Sequence, residues 1–190
     1  GHDIVCCVRD INRFFVPLPY KERVSVIEVD FLKKETLAII PKDIDAAYYL
    51  IHSMSSSADN YDKLEKESAL NFVSQINKTQ AQQVIYLSGI VNDDTLSKHL
   101  SSRKKVEEIL TSGTYAMTTL RAGIIVGSGS ASFEIIRDLV NKLPVMITPK
   151  WLNTRCQPIA ITDVLEFLSR SLLNPSTYNQ SFDIGGPNIL

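Results

Sequence analysis

Ser88, His99 and Arg103 are the residues of this chain best suited to moving or steadying a proton near neutral pH. Ser88 ends an apolar run, VIYL, and precedes Gly89, so its hydroxyl stands at a strand end where it can orient a substrate oxygen. A turn serine before glycine explains the same pair equally well. His99 and Arg103 are four positions apart, on or entering one helix, and so can share a face. Histidine gives and takes a proton in the neutral range; a solvent-facing His–Arg pair is the plainer reading. Spacing puts no carboxylate beside His99, so no catalytic triad can be argued.

The elements around these residues follow from apolar patterning. Residues 84–90, VIYLSGI, read as a strand covered on both faces that stops at Ser-Gly. Further strands are expected at 4–8 (IVCCV), 24–29 (VSVIEV), 45–52 (DAAYYLIH), 116–120 (AMTTL), 159–161 and 181–184. Pro17 and Pro19 keep the stretch after the first strand irregular. A short helix is expected over 34–40, closed by Pro41, and a long one over 60–77 with Leu64, Ala69, Leu70, Val73 and Ile76 on its apolar face. Others are expected over 100–111, with Val106, Ile109 and Leu110 inward and Gly113 as C-cap, over 132–142, and through Leu173 with Asp163 as N-cap or first-turn carboxylate. Strands and helices alternate throughout. That pattern predicts one α/β domain over residues 1–190, a parallel sheet with helices on both faces.

Composition excludes several classes. The chain has 190 residues, 22% charged and 44% hydrophobic, with a net charge of −1, which offers nothing to a nucleic acid. Arg103-Lys104-Lys105 is followed by Glu107 and Glu108, as on a solvated helix face. The cysteines, Cys6, Cys7 and Cys156, show no metal-ligand spacing and fit reduced thiols of a cytoplasmic protein. No apolar run reaches the roughly 20 residues of a membrane span, and no signal peptide opens the sequence.

Parallel α/β sheets bind ligands at the carboxyl ends of their strands, which gives two further positions a chemical reading. Arg9, just past the first strand, suits a ribose 2′-phosphate, since guanidinium matches phosphate geometry; a surface arginine is the alternative. Asp30 and Phe31, past the second, suit an adenine, or else a turn carboxylate and a core aromatic. Gly127-Ser128-Gly129 lies between strand and helix but lacks the third glycine of a dinucleotide loop, and Lys150-Trp151 stands where an acidic residue would be needed. It reads as a flexible loop over the pocket.

The segments GHDIVCCVRD, VIEVDF, VIYLSGI, HLSSRKKVEEIL, TTLRAGIIVGSGSASFEIIRDLV, QPIAITDVLEFL and FDIGGP together resemble the NAD(P)-binding short-chain dehydrogenase/reductase superfamily. The resemblance is to its atypical branch of NmrA-like proteins and nucleoside-diphosphate-sugar epimerases, and covers almost the whole chain. It implies a Rossmann-type doubly wound sheet and a preference for NADP(H) over NAD(H) through Arg9. It places Asp30 and Phe31 beside the adenine and His52 and Ser53 near the cofactor ribose. Ser88 and Gly89 fall near the nicotinamide, and Arg121, Ala122, Gly123 and Ile124 flank the nicotinamide and substrate pocket.

Two departures shape the functional expectation. The superfamily's Tyr-x-x-x-Lys is matched here by His99 and Arg103. Histidine can still transfer a proton, and arginine can hold the ribose, but arginine is not deprotonated at working pH. The sequence also begins just before the family's second strand. The first strand and the glycine-rich phosphate-binding turn are therefore expected to be missing, leaving a gap between the strands at Ile4 and Asp45; the end at Asn188-Ile189-Leu190 likewise reads as a stop inside a longer protein. The resulting expectation is an NADP(H)-binding oxidoreductase or epimerase-like enzyme acting on a small molecule, with His99, Arg103 and Ser88 catalytic. A non-catalytic NAD(P)-sensing regulatory protein is the alternative, and a scaffold fragment that binds nothing a third.

Overall fold

The computed structural model describes residues 1–51, 58–90, 98–127, 131–142 and 157–189. The strands are β1 Ile4–Val8, β2 Val24–Glu28, β3 Ala46–Tyr49, β4 Gln83–Gly89, β5 Ala116–Ala122, β6 Ile125–Val126, β7 Ile159–Ala160 and β8 Gln180–Ile184. The α-helices are α1 Ala58–Ile76, α2 Lys98–Thr111, α3 Ala131–Lys142 and α4 Ile161–Ser171. Every pairing is parallel, as predicted. The ladder falls into three pieces: β1–β2, the four strands β3-β4-β5-β8, and the short β6–β7 pair. β1 and β3 do not pair with each other, and among the described strands each pairs on one edge only. That separation is the gap anticipated from the sequence.

β4 is the central strand. Val84, Ile85 and Tyr86 are all buried, because successive side chains point to opposite faces and both faces are covered. On one face, Val84, Tyr86, Tyr49 and Met117 meet α1 and α2 in a core that also takes in Val29, Phe31 and Leu37. This shared core joins the β1–β2 pair to the larger sheet. On the other face, Leu120, Ala122 and Ile184 pack with Val164 of α4 and with Ile159.

Several expectations shift in detail. The strand expected over 45–52 ends at Tyr49; Leu50 is exposed and Ile51 leaves the ladder, while His52 lies outside the described residues. Residues Lys34–Ile39 form a 3-10 helix. β5 runs on to Ala122 because its pairing with β4 continues to Gly89. Leu70 points outward, 48% exposed. The inward stripe of α1 is instead Glu65, Ser68, Ala69, Phe72, Val73 and Ile76, two of them polar. Glu65 is kept there by the Ser102 hydroxyl of α2, which donates to its Oε2 at 3.1 Å. Asp163 sits in the first turn of α4, with Ala160 at the N-cap, and there it meets the positive end of the helix dipole. Gly113 has no left-handed φ; a Cβ there would run into the Tyr115 ring, so the glycine provides room for it.

A second support, unseen in the sequence, is Gln83 at the start of β4. It is fully buried. Its amide donates to Thr118 Oγ1 at 2.8 Å and to the Ser171 carbonyl at 2.9 Å, and its carbonyl accepts from the Leu173 N–H at 2.6 Å. Leu173 has φ 50, a left-handed conformation that β-turn glycines adopt freely and leucine does not. One side chain thus fixes the turn that carries the chain from α4 to β8. Gln83→Leu strands the Leu173 N–H and removes one of the donors to the Ser171 carbonyl, and should lower unfolding free energy by roughly 2 kcal/mol in urea titration. A loss below about 1 kcal/mol would show that Gln83 is not the support described.

Candidate functional site

The carboxyl ends of β3, β4 and β5 enclose a cleft of about 370 Å³. Leu50 and Ile51 line it beyond β3, Leu87, Ser88 and Gly89 at the end of β4, and Ala122, Gly123 and Ile125 at and beyond the end of β5. Arg103 of α2 closes one side. The lining is apolar apart from Ser88 and Arg103, the balance usual for a small-molecule pocket. Its position is dictated by parallel pairing, which sets Ser88 against Arg121 and Gly89 against Ala122.

Ser88 is 4% exposed, and its Oγ makes no hydrogen bond of good geometry among the described residues, with only a loose contact to the Tyr86 hydroxyl. Buried hydroxyls are seldom left so. Tyr86 lies two residues back on the same strand face. Burial raises the Tyr86 pKa; hydrogen-bonding contact with the Ser88 hydroxyl and the charge of Arg103 oppose that rise, and Glu65 and Glu107 add to it. Arg103 is half-buried and gives one N–H to the Leu87 carbonyl at 3.4 Å, a weak tether that leaves most of its guanidinium donors for a ligand.

The other sequence candidates are distributed around this cleft. Gly89, Ala122 and Gly123 line it. A Cβ at Gly123 would come within 3.0 Å of the Gln157 carbonyl oxygen, so close backbone approach alone accounts for that glycine. Ile124 is 37% exposed and is not part of the lining. Arg121 is not part of it either. Its guanidinium is clasped by Glu107 of α2, Nη2 to Oε1 at 2.7 Å and Nε to Oε2 at 3.2 Å, and lies 3.7 Å from Asp183 Oδ1 of β8. Strand alternation puts Arg121 on the α2 face, where a carboxylate waits for it.

Arg9 stands exposed just past β1. Asp30 shapes the turn after β2: its Oδ1 accepts from the Leu32 N–H at 3.0 Å, and its own N–H donates to Thr36 Oγ1 at 3.0 Å. The Phe31 ring is buried, 5.4 Å from the Phe72 ring, and its carbonyl accepts from Asn71 Nδ2 at 2.7 Å. That aromatic belongs to the core. His99 lies on α2 one turn before Arg103. His52, Ser53, Ser128 and Gly129 lie outside the described residues. Leu50, Ile51 and Ile125 were not singled out from the sequence, because an apolar wall residue has the signature of a core residue. Cys6 and Cys7 carry free thiols, no metal-binding cluster occurs among the described residues, and no described helix is long and apolar enough to cross a membrane.

No protein-family model and no curated protein matches the chain. Solved structures do. A nucleoside-diphosphate-sugar epimerase from Staphylococcus aureus superposes with a TM-score of 0.76 at 15% identity, over 98% of this chain and 62% of that one. The Bordetella bronchiseptica enzyme WbmG, solved with NAD, gives 0.76 at 12% identity over 100% and 66%. The UDP-glucose 4-epimerase of Thermotoga maritima, solved with UDP-glucose, gives 0.75 at 12% identity over 100% and 71%. The chain thus has the Rossmann-like fold of the nucleotide-sugar epimerases and short-chain dehydrogenase/reductases. It spans less than two thirds of the length of the first of these structures.

The buried tyrosines of the core give a pH dependence. Burial raises the pKa of Tyr49, Tyr86 and Tyr115 in the folded chain. The folded state therefore holds protons that the unfolded state releases near the ordinary tyrosine value of about 10. Stability from this source is fully present below that value and falls as pH rises through and beyond it. Phenolate absorbance should show these three groups ionising only together with alkaline unfolding. Early, reversible ionisation of all tyrosines in the folded protein would contradict their burial.

Proposed function

We propose that this protein binds NADP(H) in preference to NAD(H) at the carboxyl edge of its sheet and is an atypical oxidoreductase or epimerase-like enzyme of the cytoplasm, acting on a small molecule. The observation that carries the reading is the apolar cleft at the strand ends of this fold, with Ser88 and Arg103 as its polar lining residues. A hydroxyl and a guanidinium in an otherwise apolar cleft suit a polar ligand group. The WbmG structures, which hold NAD and NAD with UDP, support a nicotinamide nucleotide as the ligand class.

When bound, the nucleotide supplies hydride transfer. The chain's own residues have simpler tasks. Ser88 donates to the reacting oxygen. His99 gives or takes the proton that leaves or reaches that oxygen. Arg103, a permanent cation at the cleft wall, holds the ribose, with His52 and Ser53 beside it. Gly89, Ala122 and Gly123 bound the nicotinamide pocket, Ile124 flanks it from outside the lining, and Arg121 acts on it through the clasp that fixes α2 to β5. Arg9 meets the 2′-phosphate, and Asp30 holds the turn that the adenine approaches, with Phe31 beneath it.

A second reading, a non-catalytic NAD(P) sensor, draws support from Arg103 itself. Arginine keeps its proton at working pH and cannot relay one as lysine can.

Fluorescence titration of the intact protein with NADPH and NADH separates these readings from inert scaffolding; no binding of either rejects both. Hydride consumption across a panel of carbonyl compounds and nucleotide sugars then favours the enzyme, and binding without consumption the sensor. His99→Ala should abolish turnover while NADPH affinity stays within about twofold; unchanged turnover removes His99 from the mechanism. Arg9→Ala should erase the NADPH preference, and an unaltered NADPH/NADH affinity ratio would exclude the role given to Arg9.

A further inference from the structure

A second cleft shares no lining residue with the first. Lys34 and Leu37 of the 3-10 helix after β2 form one side. Asn71, Ser74, Gln75 and Lys78 form the other. These four follow the i, i+3, i+4, i+7 spacing of a single helix face, at and just past the end of α1. The cleft measures about 110 Å³. That is room for a few waters or one tetrahedral oxyanion.

Several of its polar groups are uncommitted within the described chain. Gln75 is only 7% exposed, yet its side-chain amide has no hydrogen-bond partner among the described residues. Its amide atoms keep contact with solvent and line the cleft, so they are open to a ligand there. Asn71, 6% exposed, gives one N–H to the Phe31 carbonyl at 2.7 Å and keeps a second. The Ser74 hydroxyl makes no hydrogen bond among the described residues.

The two lysines are equally free, entering no ion pair among the described residues. Lys78 is not needed as a helix cap. The Val73 carbonyl accepts from the Asn77 N–H at 3.0 Å, the Gln75 carbonyl from the Lys78 N–H at 3.0 Å, and the Ile76 carbonyl from the Thr79 N–H at 2.9 Å and its hydroxyl at 2.7 Å. The partial negative charge of the helix end, about half a unit, is outweighed by two ammonium groups. No carboxylate lines the cleft.

We infer that this cleft is a binding site for a tetrahedral oxyanion, a phosphoryl group carried free or as the terminus of a small metabolite. The two ammonium groups match its charge, and Gln75, Asn71 and Ser74 supply directed N–H and O–H donors to its oxygens. The site is independent of the nucleotide reading of the first cleft.

Calorimetric titration of the intact protein with inorganic phosphate, at constant ionic strength, tests it. Saturable binding of phosphate but not of chloride or acetate is expected. Gln75→Leu, which removes the amide and keeps the bulk, and the double change Lys34→Met with Lys78→Met should each weaken binding at least about tenfold, with circular dichroism and NADPH titration unchanged. Glycerol phosphate binding more tightly than inorganic phosphate identifies an organic phosphate as the occupant, and the reverse order identifies the free ion. Absence of saturable binding overturns the site. Equal binding by the wild type and both variants also overturns it, as an adventitious ion only.

Discussion

The register between β4 and β5 is the constraint on which this molecule turns. Seven consecutive residues pair, from Gln83 opposite Ala116 to Gly89 opposite Ala122. A slip of one residue would exchange the two faces of a strand. Gln83 would leave the polar pocket where it holds the Leu173 turn, and Ser88 would leave the cleft. Arg121 would face α4 in place of Glu107. The buried polar groups thus act as register marks within a ladder whose apolar residues alone would tolerate several alignments.

Those marks also explain why α2 is held on two sides. Ser102 reaches Glu65 on α1, and Glu107 reaches Arg121 on β5 and accepts from the Ser181 hydroxyl on β8 at 3.2 Å. Between them on the same helix stands Arg103, facing the cleft. A residue on a single tether would swing; with ties before and after it, the helix presents Arg103 at a fixed height above the strand ends. The Glu107–Arg121 pair is bidentate and partly shielded, so it is worth more than an exposed ion pair.

Much of the fold was legible in the sequence, and the reasons are specific. The run VIYL declares a strand buried on both faces, because continuous apolar β-favouring residues of that length suit little else, and Ser88-Gly89 marks its end. The alternation of strands and helices pointed to the parallel sheet. Polar burial was not legible. Glu65 and Ser68 have the look of solvent residues, and the Ser102 hydroxyl opposite helps make burial tolerable for Glu65. Leu70 fits the inward face by hydrophobicity, although the helix turns it outward. Phe31 suits a ligand contact or a core ring, and Phe72 decides for the core. Arg121 matched a pocket segment by resemblance, yet an acid one helix away takes its guanidinium first.

The Ser88 hydroxyl has a thermodynamic consequence. Its dehydration is complete once the chain has folded, before any ligand arrives. A hydroxyl in open solvent must shed water on complex formation, and most of the gain from its new hydrogen bond cancels. At Ser88 little of that exchange is left to make, so an acceptor oxygen brought against it would recover much of the interaction, on the order of 1–3 kcal/mol. The same recovery would tie occupancy of the cleft to cohesion of the sheet, and a molecule lacking that oxygen would forgo it.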